Sequence, residues 1–146
     1  MIAVDTNVLV YAHRREAREH AVAAELMREL ATGAETWSIP WPCVYEFFSV
    51  VTNARIWKEV ASTPAQAWAQ LRVWLGSPSL VLLHETEDFV DRLQGLAQRP
   101  RVRGPIIHDA RVAWICLAHG VKQLLSRDRD FALFPELPVR NPFEAP

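Results

Sequence analysis

The chain is expected to fold as an α/β protein, a mainly parallel central sheet with helices on both faces. Three observations point there. Short apolar stretches of strand length alternate with longer segments of helical periodicity. The helical segments are long enough to act as crossovers between parallel strands. Proline and glycine stand at the boundaries between them. At 146 residues the chain fits one domain, residues 1–146, with no internal repeat or low-complexity tract.

Ile2–Val4 reads as the first strand, and Asn7 as the cap of a short helix from Val8 to Ala12. His13–Arg18 is polar and expected to be exposed. Ala21, Ala24, Leu26, Met27 and Leu30 recur at helical spacing up to Gly33, a C-cap. Thr36–Ile39 forms a strand that Pro40 and Pro42 end, and Pro42 can open a helix through Cys43 and Phe47 to about Asn53. Thr63-Pro64 starts a helix containing Trp68 and Trp74 that Gly76 stops. Leu80–Leu83 is a strand, and Thr86 caps a helix carrying Phe89, Leu93 and Leu96. After a loop from Arg99 to Pro105, a helix opens at Ile106 and closes at Gly120. Val121–Leu125 is the next strand, and the proline-punctuated tail leaves room for a short one near Val139.

Sixteen Lys and Arg against seventeen Asp and Glu give a formal charge of −1, so the overall field neither favours nor excludes a polyanionic partner. No charged leader precedes Ile2 and no apolar run reaches membrane-spanning length, which makes the cytoplasm the expected compartment, without membrane association. Cys43 and Cys116 lack the spacing of a zinc or redox pair and read as small core residues.

The acids carry the chemistry. Asp5 sits in the apolar run Ile2–Tyr11, where an unpaired carboxylate would cost several kcal/mol, on the order of the penalty for any unpartnered buried charge. Strand-end placement puts Asp5 and Asp128 on the side where open parallel sheets build their sites, and Asp109 falls in a helix's first turn. Glu46, among aromatics one turn into its helix, can point to the same place. Four converging carboxylates repel one another and should raise at least one pKa unless cations bind between them. Oxygen-only ligands suit Mg2+, with Mn2+ as substitute, and a pair of such ions about 4 Å apart could activate water against a phosphodiester. Arg99, Arg101 and Arg103, just upstream of Asp109, are candidate phosphate contacts.

Asp5-Thr6-Asn7-Val8-Leu9, Glu46 in its apolar helix, His108-Asp109-Ala110 and Ser126-Arg127-Asp128-Arg129-Asp130-Phe131 together resemble the PIN-domain nucleases, and specifically the VapC toxins of type II toxin–antitoxin systems. Phe134–Leu137 followed by Asn141-Pro142 is similar to the VapC tail, so the likeness spans the chain. It implies a PIN-like α/β/α sandwich and a magnesium-dependent endoribonuclease that cuts structured RNA such as tRNA or rRNA. It also implies a cognate VapB-type antitoxin and a homodimer. Carried over, Asp5, Glu46, Asp109 and Asp128 are the metal-binding acids. Thr6, Asn7 and Ser126 are their polar supports, with Ser126 where the family usually has Thr. Asp130 competes with Asp128 for the fourth place, and the spacing from Ser126 favours Asp128.

Aspartyl phosphotransfer is a poor rival. Phosphatases of that type need Asp where Asn7 stands, and receiver domains need a lysine at the end of a late strand, whereas Lys122 lies near a strand's start. A PIN nuclease of RNA processing without an antitoxin, and a non-catalytic binding module, are the remaining alternatives.

Overall fold

The computed structural model describes residues 1–144. Among these residues five strands, β1 (Ile2–Val4), β2 (Trp37–Pro40), β3 (Leu80–Leu83), β4 (Gln123–Leu125) and β5 (Val139–Arg140), form one sheet in the order β3-β2-β1-β4-β5. All four pairings are parallel, with Ile2 opposite Trp37 and Val4 opposite Leu125. The expected mainly parallel sheet is therefore wholly parallel.

Among the described residues seven α-helices connect and cover it: α1 (Thr6–His13), α2 (His20–Thr32), α3 (Trp41–Val51), α4 (Ala54–Trp57), α5 (Pro64–Leu75), α6 (Phe89–Ala97) and α7 (Ile106–Ala118). From β1 the chain builds outward through β2 to β3, then crosses back to β4 on the other side of β1. Right-handed crossovers place the helices of these two journeys on opposite faces, giving an α/β/α sandwich. α1 packs with α2 and α3, α3 with α5, and α6 with α7. Strand order reverses between β1 and β4, so the connections leaving their C-terminal ends diverge and open a crevice.

The core runs through both faces. Val4, Leu124 and Leu125 from the sheet, and Leu9, Phe47, Leu71 and Ile115 from the helices, are fully buried. So is Trp37, whose indole N–H donates to Ser77 Oγ at 3.3 Å. Gly33 stops α2 where a Cβ would lie 2.8 Å from the Glu29 carbonyl oxygen, and Gly120 follows α7 at φ +65°, the left-handed conformation that favours glycine. Thr63 and Gln66 complete the reciprocal capping box of α5. Among the described residues no helix is long and apolar enough to cross a membrane.

Three local expectations are corrected. α1 begins at Thr6 with Asp5 in the capping position, because the Asn7 side chain is used in contacts across the sheet. Thr86 does not cap α6: its hydroxyl donates to Asp88 Oδ1 at 2.7 Å and the helix starts at Phe89. The His13–Arg18 segment is not uniformly exposed, since Arg14 is buried against Trp57. The segment after α3, for which the sequence offers no reading, contains α4, a single turn capped by Asn53, which accepts the Arg55 N–H at 2.9 Å.

Candidate metal and active site

Asp5 stands where β1 becomes α1. Its backbone N–H continues the ladder to the Leu125 carbonyl at 3.1 Å, and its own carbonyl accepts the Val8 N–H at 3.1 Å, so its side chain is fixed at the reversal of strand order. There Oδ2 accepts hydrogen bonds from Ser126 Oγ and from Asn7 Nδ2, both at 2.6 Å. The buried Cys43 thiol approaches Oδ1 at 3.6 Å and donates to it.

Ser126 is the junction of this network. Its hydroxyl gives its proton to Asp5 and accepts from Asn7 Nδ2 and from the Asp128 N–H, both at 2.9 Å, which uses one donor and two lone pairs. Asn7 completes the link by accepting the Arg127 N–H at 3.1 Å. Two backbone strands' ends are thus tied together by two short polar side chains.

Glu46 projects from α3 and accepts from the Thr6 hydroxyl at 2.6 Å. Asp128 Oδ1 accepts the Asp130 N–H at 2.8 Å. Carboxylate oxygens of Asp109, Asp128 and Asp130 lie within 4.8 Å of one another. Asp5, Glu46, Asp109 and Asp128 all line one cavity of about 330 Å³, and an adjoining one of about 560 Å³ adds Asp130 and His108. The four acids expected from the sequence are therefore brought together, and Asp128 and Asp130 both reach the cluster.

The arrangement is electrostatically loaded. None of these five acids forms an ion pair among the described residues, although six other ion pairs are present. Burial pushes the Asp5 carboxyl up to about 6 against the relief of the Ser126 hydrogen bond, with Glu46 and Asp128 adding repulsion. Burial, then the neighbouring charges of Asp128, Asp5, Asp130 and Glu46, push Asp109 up to about 7. The ligand atoms that the five acids offer are all carboxylate oxygens, and their negative charge is left without a counter-charge. That suits a hard divalent cation, which Asp109, Asp128 and Asp130, or Asp5 with its neighbours, could hold.

The three loop arginines divide. Arg99 is engaged with Glu136 and donates to the Leu133 carbonyl at 2.8 Å, so its head group serves the fold. Arg101 and Arg103 are exposed and form no ion pair among the described residues. Trp74 is core, while Trp68 is half exposed and rests on Phe48. Sequence reasoning missed Cys43, read as filler but touching Asp5, and the aromatic wall of the cavity, Tyr11 and Trp57.

A parallel sheet whose reversal point gathers four acids on Asn, Ser and Thr supports defines a class, and the sequence comparison agrees with it: the chain belongs to the PIN domain family, whose profile matches residues 2–137. Within that family it is 37% identical over 144 residues to VapC ribonuclease Mb2897 of Mycobacterium bovis and to ribonuclease VapC43 of Mycobacterium tuberculosis, covering 99% of this chain and 97% of each relative. Ribonuclease VapC48 of M. tuberculosis is 26% identical over 139 residues, 95% of either chain. Among solved structures, M. tuberculosis VapC20, described as a toxin cleaving the sarcin–ricin loop, superposes with a TM-score of 0.67 at 19% identity, over 90% of this chain and 93% of that one. VapBC2 of Rickettsia felis bound to a promoter DNA fragment gives 0.66 at 20% identity, over 97% and 98%. At those identities the structural likeness is one of fold.

Proposed function

We propose that this single PIN domain is the toxin of a type II toxin–antitoxin system, a metal-dependent endoribonuclease acting in the cytoplasm on structured RNA such as tRNA or rRNA. The observation that carries this reading is the convergence of Asp5, Glu46, Asp109 and Asp128 on one cavity with no basic partner among the described residues. Ribonuclease names on relatives at 37% identity over nearly the full chain support the same substrate class.

In this reading Asp5, Asp109 and Asp128, with Glu46, hold Mg2+ or Mn2+, and Asp130 supports them. The bound cation supplies a water of lowered pKa and neutralises charge on the phosphate. The residues of the chain do the positioning. Ser126 and Asn7 lock the Asp5 carboxylate, and Thr6 holds Glu46 by its hydroxyl, so the acids need little reorganisation. Arg101 and Arg103 meet flanking phosphates. A VapB-type antitoxin and a second copy of the chain cover exposed apolar side chains such as Val73 and Trp68, which are 67% and 48% exposed.

Cleavage of total tRNA and rRNA by the purified protein in MgCl2 tests the proposal. It requires products with 5′-phosphate and 3′-hydroxyl ends, loss of cutting in EDTA, and loss of cutting by Asp5→Asn. Cutting that persists in EDTA would overturn it.

A further inference from the structure

The cavity that holds the acids has a second wall, formed by Val10, Tyr11, Val50 and Trp57, for which the hydrolysis itself has no use. Trp57 is fixed there. Its indole N–H donates to the Val50 carbonyl at 2.9 Å, and the Arg14 guanidinium carbon lies 4.2 Å from the ring centroid. Arg14 is only 5% exposed, is held by Glu16 and by Ser62 Oγ at 3.2 Å, and keeps its buried Nε without a hydrogen-bond partner. A buried guanidinium left partly unsatisfied costs free energy, and the cation–π contact beneath Trp57 offsets part of that cost. Since Arg14 occupies one face of the indole, the ring's remaining face and edge are what Trp57 can give to the cavity. Tyr11, on the same wall, is braced by Phe143 in an edge-to-face contact at 5.3 Å and by the guanidinium of Arg127.

Braced aromatic rings that line the same cavity as a carboxylate cluster match a nucleotide. Its phosphate belongs at the cation-binding acids, and its base is a flat apolar surface that stacks on indole or phenol. We propose that Trp57, with Tyr11, is the platform on which one RNA base flanking the scissile phosphate stacks. Trp57 is then a substrate-positioning residue. The RNA at the cut must be a loop or bulge, because a base held in an A-form helix cannot lie against the wall. The inference rests on the ribonuclease reading.

The full-length protein in MgCl2 is given a hairpin RNA library with randomised loops, and the best-cut member is remade with an abasic nucleotide at each position around the cut. One abasic position should raise KM about tenfold or more, the range expected for loss of one stacked base, with a smaller change in kcat. Trp57→Leu should raise KM by a similar factor on the intact RNA and be indifferent to that abasic position. Trp57→Phe, which keeps a ring and serves if the Leu variant does not fold, should retain the abasic effect at reduced size. Val90→Ala, an exposed side chain on α6 outside the cavity, should match the unaltered protein. Abasic positions that are all silent, or losses from Trp57→Leu and the abasic site that simply multiply, would overturn the platform. Native protein that cuts no hairpin would overturn the ribonuclease reading and the platform with it.

Discussion

Ser126 Oγ donates a hydrogen bond to Asp5 Oδ2 at 2.6 Å although 121 positions separate them in the chain. The bond is made because β1 and β4 are parallel neighbours whose C-terminal ends release these two residues side by side. Ser126→Ala removes the donor to Asp5, takes away the second of the two acceptors of the Asn7 amide and leaves the Asp128 N–H without its acceptor. A loss of about 1–3 kcal/mol in stability follows from depriving the buried Asp5 carboxylate of this donor. Cleavage should fall roughly 10–100-fold, the usual cost of losing a residue that orients a metal ligand. Ser126→Thr keeps the hydroxyl and should stay within a few-fold of the native rate. Chemical denaturation and initial cleavage rates check both variants.

The raised carboxyls make the metal-free protein pH-sensitive. Asp5 and Asp109 move from 3.8 to about 6 and about 7, so between pH 4 and 7 the folded state binds protons more tightly than the unfolded chain. Their contribution to stability therefore falls as the pH rises through that window. The fall attributable to buried Asp5 is on the order of 2–3 kcal/mol, from its shift of about two units. Half-buried Asp109 adds less than its shift alone suggests, because solvent screens it. Thermal melts of native protein and Asp5→Asn from pH 4 to 8 should converge at the acid end, with Asp5→Asn the more stable at pH 8. MgCl2 should raise the native Tm more at pH 8 than at pH 5.

Much of this was legible in the sequence, and the reasons are local. β1, α3 and α7 are marked by apolar patterning and by prolines or glycines at their ends, and Asp5 stands out as a carboxylate inside such a run. What was not legible depends on distant partners. Asn7 looks like a helix cap, but Ser126 and Asp5 compete successfully for its amide. Arg99 looks like a free cation until Glu136, 37 positions on, claims it. Arg14 reads as solvated and is instead buried, with Trp57 over its guanidinium and Glu16 and Ser62 holding it. α4 has four residues, too few for any periodicity to announce it.

The loop arginines should separate in an RNA-binding assay. Arg101→Ala and Arg103→Ala remove exposed cations, and each should lower affinity and reduce the slope of log K against log salt by about one. Arg99→Ala breaks the pair with Glu136 and should instead cost up to about 1 kcal/mol of stability with the salt slope unchanged. Fluorescence anisotropy with a labelled tRNA and the Asp109→Asn protein measures the slopes without cleavage.

Both thiols should be inert while the protein is folded. Burial pushes the Cys43 and Cys116 thiols well above their ordinary value, with the Asp5 charge adding to each, so thiolate is scarce at pH 8. Iodoacetamide should label neither in native buffer and both in denaturant, as read by mass spectrometry. Cys43→Val removes the donor to Asp5 Oδ1 and should reduce cleavage while the fold is kept.

The most direct measurement is a crystal of the full chain soaked in MnCl2 with data collected for manganese anomalous scattering. A peak bound by carboxylate oxygens of at least two of Asp5, Asp109 and Asp128 is expected, and the same peak should be weak or gone in Asp109→Asn. A saturating soak that leaves that cavity without a peak, or places manganese only elsewhere, would contradict the claim that these acids are gathered to hold a cation.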